Sequence, residues 1–213
     1  MVLVALFTLG ITVEAITGAM AAGRKKVDCF GVLLIACVTA LGGGTMRDIL
    51  LDSFPLIWIE QPFYLYMAAI AAIITMVLAP SILRIMRIFL ILDALGLATF
   101  AVLGTQKAMS LGHPMSICIV SGMVTGISGG VLRDILCNDI PLVLRTEIYA
   151  LVALVGSLYY WTLSMLDLPH NFVIASSLLL MFATRVYAII HHVTMPIFDY
   201  SDPTKKHIQK EKR

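Results

Sequence analysis

Two stretches of this chain read almost alike: Gly42-Gly43-Gly44-Thr45-Met46-Arg47-Asp48-Ile49-Leu50 and Ser128-Gly129-Gly130-Val131-Leu132-Arg133-Asp134-Ile135-Leu136. Each sets a glycine cluster and an Arg-Asp pair into a long apolar run, and Gly44 and Gly130 are 86 positions apart. An Arg within a membrane span costs about 2.5–3.5 kcal/mol on insertion scales. A glycine in a helix interior costs about 1 kcal/mol against alanine. Incurring both costs twice, at one spacing, implies a duplicated membrane protein whose two halves build one polar site.

Composition agrees. The 213 residues are 60% apolar and 13% charged, where a soluble domain is about half apolar and about a quarter charged. The expectation is an all-α membrane protein forming one transmembrane domain over 1–196, followed by a basic cytoplasmic tail at 197–213. A net charge of +2, spread over loops and tail, does not suit nucleic acid as a partner. Cys29, Cys37, Cys118 and Cys137 lack metal-ligand spacing and read as buried free thiols. His191-His192 reads as an interface feature, so neither a metal nor a cofactor is assigned. The first apolar run, Val2 to Ala22, precedes Arg24-Lys25-Lys26 rather than following basic residues. That charge order is the reverse of a secretory signal, so a retained first span is expected.

A spanning helix needs about 20 mostly apolar residues. Seven candidates fit, near 2–22, 28–50, 62–80, 88–106, 115–136, 147–166 and 172–190. With the N-terminus outside, Arg24, Lys25, Lys26, Arg84, Arg87 and Arg145 face the cytoplasm, with Lys205, Lys206, Lys210, Lys212 and Arg213 of the C-terminal tail. Lys107 then stands outside beside Asp52, Glu60 and Asp167. This asymmetry sets the expected orientation.

At the 86-residue offset, Val38, Thr39, Gly43, Gly44, Arg47, Asp48, Ile49, Leu50, Pro55 and Leu56 match Val124, Thr125, Gly129, Gly130, Arg133, Asp134, Ile135, Leu136, Pro141 and Leu142. Ala15, Gly18 and Ala22 match Ala101, Gly104 and Ala108. Each half (about 2–80 and 88–166) has three spans, so the second copy is upside-down relative to the first. The expected architecture is a three-plus-three inverted repeat with a seventh helix at about 172–190.

Glycine clusters are recognised kink sites. Spans two and five are expected to break at Gly42–Gly44 and Ser128–Gly130, freeing carbonyls of Val38 to Leu41 and Val124 to Ile127. Such carbonyls carry the negative end of a half-helix dipole and suit a weakly hydrated cation. The Thr39 and Thr125 hydroxyls would add to them. For Gly10, Gly18, Gly96 and Gly104 close helix packing is the reading taken. Neighbours on a helix do not face each other, so Arg47-Asp48 and Arg133-Asp134 are expected to reach separate partners. Each Arg either lines a vestibule at its end of the pathway or clamps carbonyls of the other half. Glu14, Asp93 and Arg185 are further intramembrane charges. Glu14 and Asp93 are read as structural carboxylates, as positions near a membrane surface, or as proton or cation sites, and Arg185 as pairing with a carboxylate or a lipid phosphate.

The pattern G-G-x-x-R-D also opens a signature of tRNA nucleotidyltransferases and poly(A) polymerases. There it belongs to a soluble domain near an Asp-x-Asp metal site. No Asp-x-Asp follows either copy here, and an enzyme with catalytic residues is not expected. The duplicated motif, the arrangement of spans, Arg185-Val186-Tyr187-Ala188 and Pro196 resemble the prokaryotic trimeric intracellular cation (TRIC) channel family. That family overlaps the UPF0126 group with its glycine transporter domain. The resemblance covers about residues 3–196. It implies a homotrimer in a prokaryotic plasma membrane, in contact with lipid, with a pore inside each subunit between spans two and five. Monovalent cations, chiefly potassium, would pass. Ser128 departs from the triple glycine. The alternative is a secondary carrier for glycine or a similar zwitterion. Helix restarts at Thr45 and Val131 would then offer donors to a carboxylate.

Overall fold

The structure is a computed structural model that describes residues 2–78, 85–145, 148–166 and 168–195. It is all-helical. In chain order the helices are α1 (Val2–Gly23), α2 (Cys29–Leu50), the single turn α3 (Ile57–Glu60), α4 (Phe63–Leu78) and α5 (Ile85–Ser110). They continue with α6 (Met115–Leu136), α7 (Tyr149–Ser164) and α8 (His170–His191), and a 3₁₀ turn at Leu142–Leu144 precedes α7. Five of them, α1, α2, α5, α6 and α8, are long and apolar enough to cross a membrane. The other two long helices, α4 and α7, are shorter apolar helices. Of 16 residues each, they rise about 24 Å. The short α3 and the 3₁₀ turn fall where the sequence suggested only breaks. The basic tail at 197–213 lies outside the described residues.

The repeat is explicit in the helix bounds. α2 and α6 begin and end at positions 86 apart, as do α4 and α7. Their endings match bond for bond. Leu51 N donates to Arg47 O at 2.9 Å and Ser53 N to Asp48 O at 2.8 Å. In the second half Cys137 N donates to Arg133 O at 2.9 Å and Asp139 N to Asp134 O at 2.8 Å. Between them Asp52 and Asn138 take the left-handed conformation, φ 50° and 53°. This is a hydrogen-bonded helix stop, and Asp and Asn tolerate the left-handed step better than most residues.

The halves run in opposite senses. Along α1 and α5, Phe7 meets Phe100 edge to face at 6.0 Å, and the Arg24 guanidinium lies 5.0 Å from the Phe89 ring centre. Glycines allow the close approaches between. A Cβ at Gly10 would lie 3.0 Å from Thr99 Cγ2, and a Cβ at Gly18 would lie 2.7 Å from Ala36 Cα. Gly104, the repeat counterpart of Gly18, packs against Thr125 and Ser121. The core is built from alanine and medium-sized side chains such as Ile11, Ala36, Leu97, Ala101, Val102 and Ala153. This is the small-residue packing of membrane helices. α8 has no counterpart and packs on α5 and α7.

Of the four cysteines, Cys118 and Cys137 are buried and Cys37 is half-buried, but Cys29 is exposed at the start of α2. The expectation of buried thiols fails for Cys29, because helix α2 opens at the end of the bundle after the Asp28 cap.

Candidate functional site

α2 and α6 cross on their glycines, and here the structure corrects the expectation of broken helices. Both helices run uninterrupted through Gly42–Gly44 and Ser128–Gly130. The physical reason is the neighbour. A Cβ at Gly129 would lie 2.5 Å from Thr39 O, and a Cβ at Gly43 would collide with Thr125 O. The glycines let two backbones touch, and the packing offsets their poor helix preference. Leaving backbone groups unpaired at membrane depth would cost several kcal/mol each, so the helix keeps its ladder.

The other seam residues are likewise used within helices. Thr39 Oγ1 donates to Ile35 O and Thr125 Oγ1 to Ser121 O, both at 2.6 Å. Ser128 Oγ donates to Val124 O at 2.6 Å. Gly42, the counterpart of Ser128, lies against the Leu132 side chain. Gly44 looks across one turn to Arg47, 3.8 Å from Nη2 to a Cβ placed there. Gly130 sits near Tyr149 Oη and Arg133 Nη2, at 3.2 and 3.5 Å by the same measure.

The Arg-Asp pairs bring a second correction. Arg47 bonds its own neighbour, with Nε and Nη2 at 2.8 and 2.7 Å from Asp48 Oδ1. Arg133 Nε bonds Asp134 Oδ1 at 2.8 Å. Adjacent residues start out on different faces, but the Arg stem is long enough to fold its guanidinium back to the next carboxylate. Arg133 also reaches a separate partner: Nη1 lies 2.7 Å from Asp93 Oδ1 and 3.4 Å from Thr17 Oγ1. Its guanidinium stands 4.6 Å from the Phe89 ring centre. Asp134 Oδ2 accepts from Leu142 N at 2.9 Å, anchoring the turn that follows α6. Removing one member of such a buried pair costs about 3–5 kcal/mol, because the other charge is left uncompensated.

The two motifs stand at opposite ends of the bundle. Arg47 and Asp48 line a cavity of about 410 Å³ with Phe7, Tyr64, Gln106 and Lys107. Asp134 lines one of about 290 Å³ with Arg24, Lys25, Asp139 and Arg145. In the second cavity Lys25 Nζ bonds Asp139 Oδ1 at 2.7 Å. That bond holds the Asp139 carboxyl below its ordinary range. Along α2 and α6 the glycine contacts lie between the two Arg-Asp motifs, and neither cavity is lined by Thr39, Gly43, Thr125 or Gly129.

Sequence reasoning left Glu14 and Asp93 open, and the structure buries both beside Arg133. Their signal was visible only as intramembrane charge. Neither is repeated at the 86-residue offset, where Phe100 and Phe7 stand instead.

The family model described as "Glycine transporter" matches this chain twice, over residues 4–80 and 90–165. The two matches start 86 positions apart and cover the two halves. The UPF0126 membrane protein of Vibrio cholerae is 37% identical over 190 residues, 89% of this chain and 80% of the relative. The UPF0126 inner membrane protein YadS of Escherichia coli K12 is 37% identical over 195 residues, 89% of this chain and 93% of the relative. Among solved structures, the TRIC trimeric intracellular cation channel orthologue from Rhodobacter sphaeroides superimposes with TM-score 0.87 at 34% identity. It covers 90% of this chain and 99% of its own. A chain from a structural study of conductance through TRIC cation channels gives TM-score 0.85 at 32% identity, covering 95% of this chain and 100% of its own.

Proposed function

We propose a function from one premise: this chain belongs to the TRIC/UPF0126 family of membrane proteins. It is a multi-pass protein of a bacterial inner membrane that conducts monovalent cations, chiefly potassium. Three copies assemble, and each carries its own pathway along the α2–α6 seam. Seven helices cross the bilayer, and α4 and α7 do so by local thinning or by recruiting flanking residues. The N-terminus is outside, and Arg24, Lys25 and Arg145 face the cytoplasm.

The observation that carries this reading is the seam itself, with a charged cavity at each end. Two backbones touch there only because Gly43 and Gly129 lack side chains. A modest parting of α2 from α6 would join the cavities and expose the Thr39 and Thr125 carbonyls to the pathway. Backbone carbonyls are suitable replacements for the hydration shell of potassium. The seam as described is the closed arrangement. It replaces a permanently kinked pair of helices as the origin of those ligands.

The family model's description favours a second reading, a carrier for glycine. Inverted repeats serve carriers as well. Purified protein in planar bilayers separates the two. Unitary currents in potassium chloride support the channel. Silent bilayers together with saturable glycine counterflow in vesicles would overturn it in favour of the carrier.

A further inference from the structure

Two buried carboxylates break the twofold symmetry of the bundle. Glu14 on α1 is 2% exposed and Asp93 on α5 is 0% exposed. Their repeat counterparts, Phe100 and Phe7, are an aromatic contact at the Arg47 end. Glu14, Asp93 and Asp134 therefore gather around Arg133, whereas Arg47 has an ion-pair partner only in Asp48 among the described residues. Among the described residues the other cation near this group is Arg185 on α8, 4.7 Å from the Tyr149 ring centre. Among the described residues, three carboxylates face two guanidiniums when every group is ionised.

Glu14 differs from Asp93 and Asp134, which both bond Arg133. Among the described residues no Lys, Arg or His nitrogen lies within ion-pair distance of its carboxylate, which accepts a hydrogen bond from Thr17 Oγ1 at 3.2 Å. Beside it, Asp93 Oδ2 and Arg133 Nη2 are buried without a hydrogen-bond partner. Glu14 is wedged between two glycines of other helices. A Cβ at Gly96 would fall on its Oε1. A Cβ at Gly129 would lie 3.8 Å from its Oε2 and 2.5 Å from Thr39 O. A carboxylate oxygen and a seam carbonyl thus stand near the same glycine, both as acceptors.

We propose that Glu14 is the cation-selecting residue of the pathway, a ligand that a monovalent cation meets together with the Thr39 carbonyl at one end of the seam. This deepens the channel reading and rests on it. Asp93 stays with Arg133 and keeps that charge from competing for Glu14. Because the mirror position is Phe100, the selecting charge is one-sided, and current should differ with its direction across the membrane.

The test uses full-length protein in planar bilayers, with wild type recorded first. E14Q keeps the shape and removes the charge. G96A keeps the carboxylate but displaces it from its place between Gly96 and Gly129. Both are checked for oligomer size by gel filtration. The potassium-to-chloride permeability ratio, read from reversal potentials, should fall on the order of tenfold in E14Q, the low end of what a charged cleft does to local counter-ion concentration. It should fall in G96A too, and the current–voltage asymmetry should flatten in both. An E14Q that assembles normally and keeps the wild-type ratio and asymmetry overturns the assignment while leaving the channel standing. If E14Q does not assemble, an unchanged G96A overturns it. A wild type that carries no current defeats the channel reading itself.

Discussion

Gly129 rests against the carbonyl of Thr39, and Gly43, its counterpart 86 positions earlier, rests against the carbonyl of Thr125. The two contacts are the same contact made twice, in opposite directions. They make the glycines unequal within each cluster, which a count of glycines cannot reveal.

The inequality is measurable. G43A and G129A each force a methyl group into a backbone carbonyl and should destabilise the folded protein by about 1–3 kcal/mol, the usual range for overpacking. G44A meets only Arg47 Nη2 at 3.8 Å, ordinary contact distance. Alanine's better helix preference should leave it as stable as wild type or up to about 1 kcal/mol more so. Thermal unfolding in one detergent ranks the three. G44A unfolding as early as G43A would contradict the seam geometry.

The arginines should differ as well. R133M leaves Asp93 and Asp134 buried without their shared cation and should cost about 3–5 kcal/mol. R47M strands only Asp48, which borders an open cavity, and should cost less. Equal losses in denaturation experiments would mean that the Asp93 bond contributes nothing.

Orientation can be read chemically. Lys107 lines the cavity at the Arg47 end and Arg145 the cavity at the other. In a background where Cys29, Cys37, Cys118 and Cys137 are replaced, K107C should react with membrane-impermeant thiol reagents from the periplasmic side alone. R145C should react from the cytoplasmic side alone. Labelling of both from one side would refute the topology.

The Lys25–Asp139 bond predicts a pH dependence with a definite sign. Asp139 has a lowered folded-state pKa, so its contribution is present above the unfolded value, about 3.9. It is lost as pH falls through the folded value. The stability difference between wild type and K25M should hold at neutral pH and vanish in acid. Both groups are about one-third exposed, which limits the difference to less than about 1 kcal/mol. A gap that widens on acidification would exclude this bond as its source.

Much of this architecture was legible. The apolar runs locate the long helices within a few residues, and the repeated motif by itself relates α2 to α6. Three things were hidden for physical reasons. Glycine's helix preference is a local property, whereas the continuity of α2 and α6 depends on a neighbouring backbone and on the lack of water for freed carbonyls. The rule that adjacent residues face apart holds for Cβ directions, not for the far end of an Arg, so Arg47 could turn to Asp48. Glu14 and Asp93 lie on different helices, and neither is repeated at the 86-residue offset. No spacing within the chain could announce that both converge on Arg133.

The α2 and α6 endings, with Asp52 and Asn138 taking the same left-handed step, have a consequence for direction. A body with a twofold axis lying in the plane of the membrane looks identical to an ion arriving from either compartment. Such a body has no inside and no outside of its own. Whatever vectorial behaviour this protein has must come from the places where its halves disagree: two carboxylates answered by two phenyl rings, a serine answered by a glycine, and an eighth helix answered by nothing.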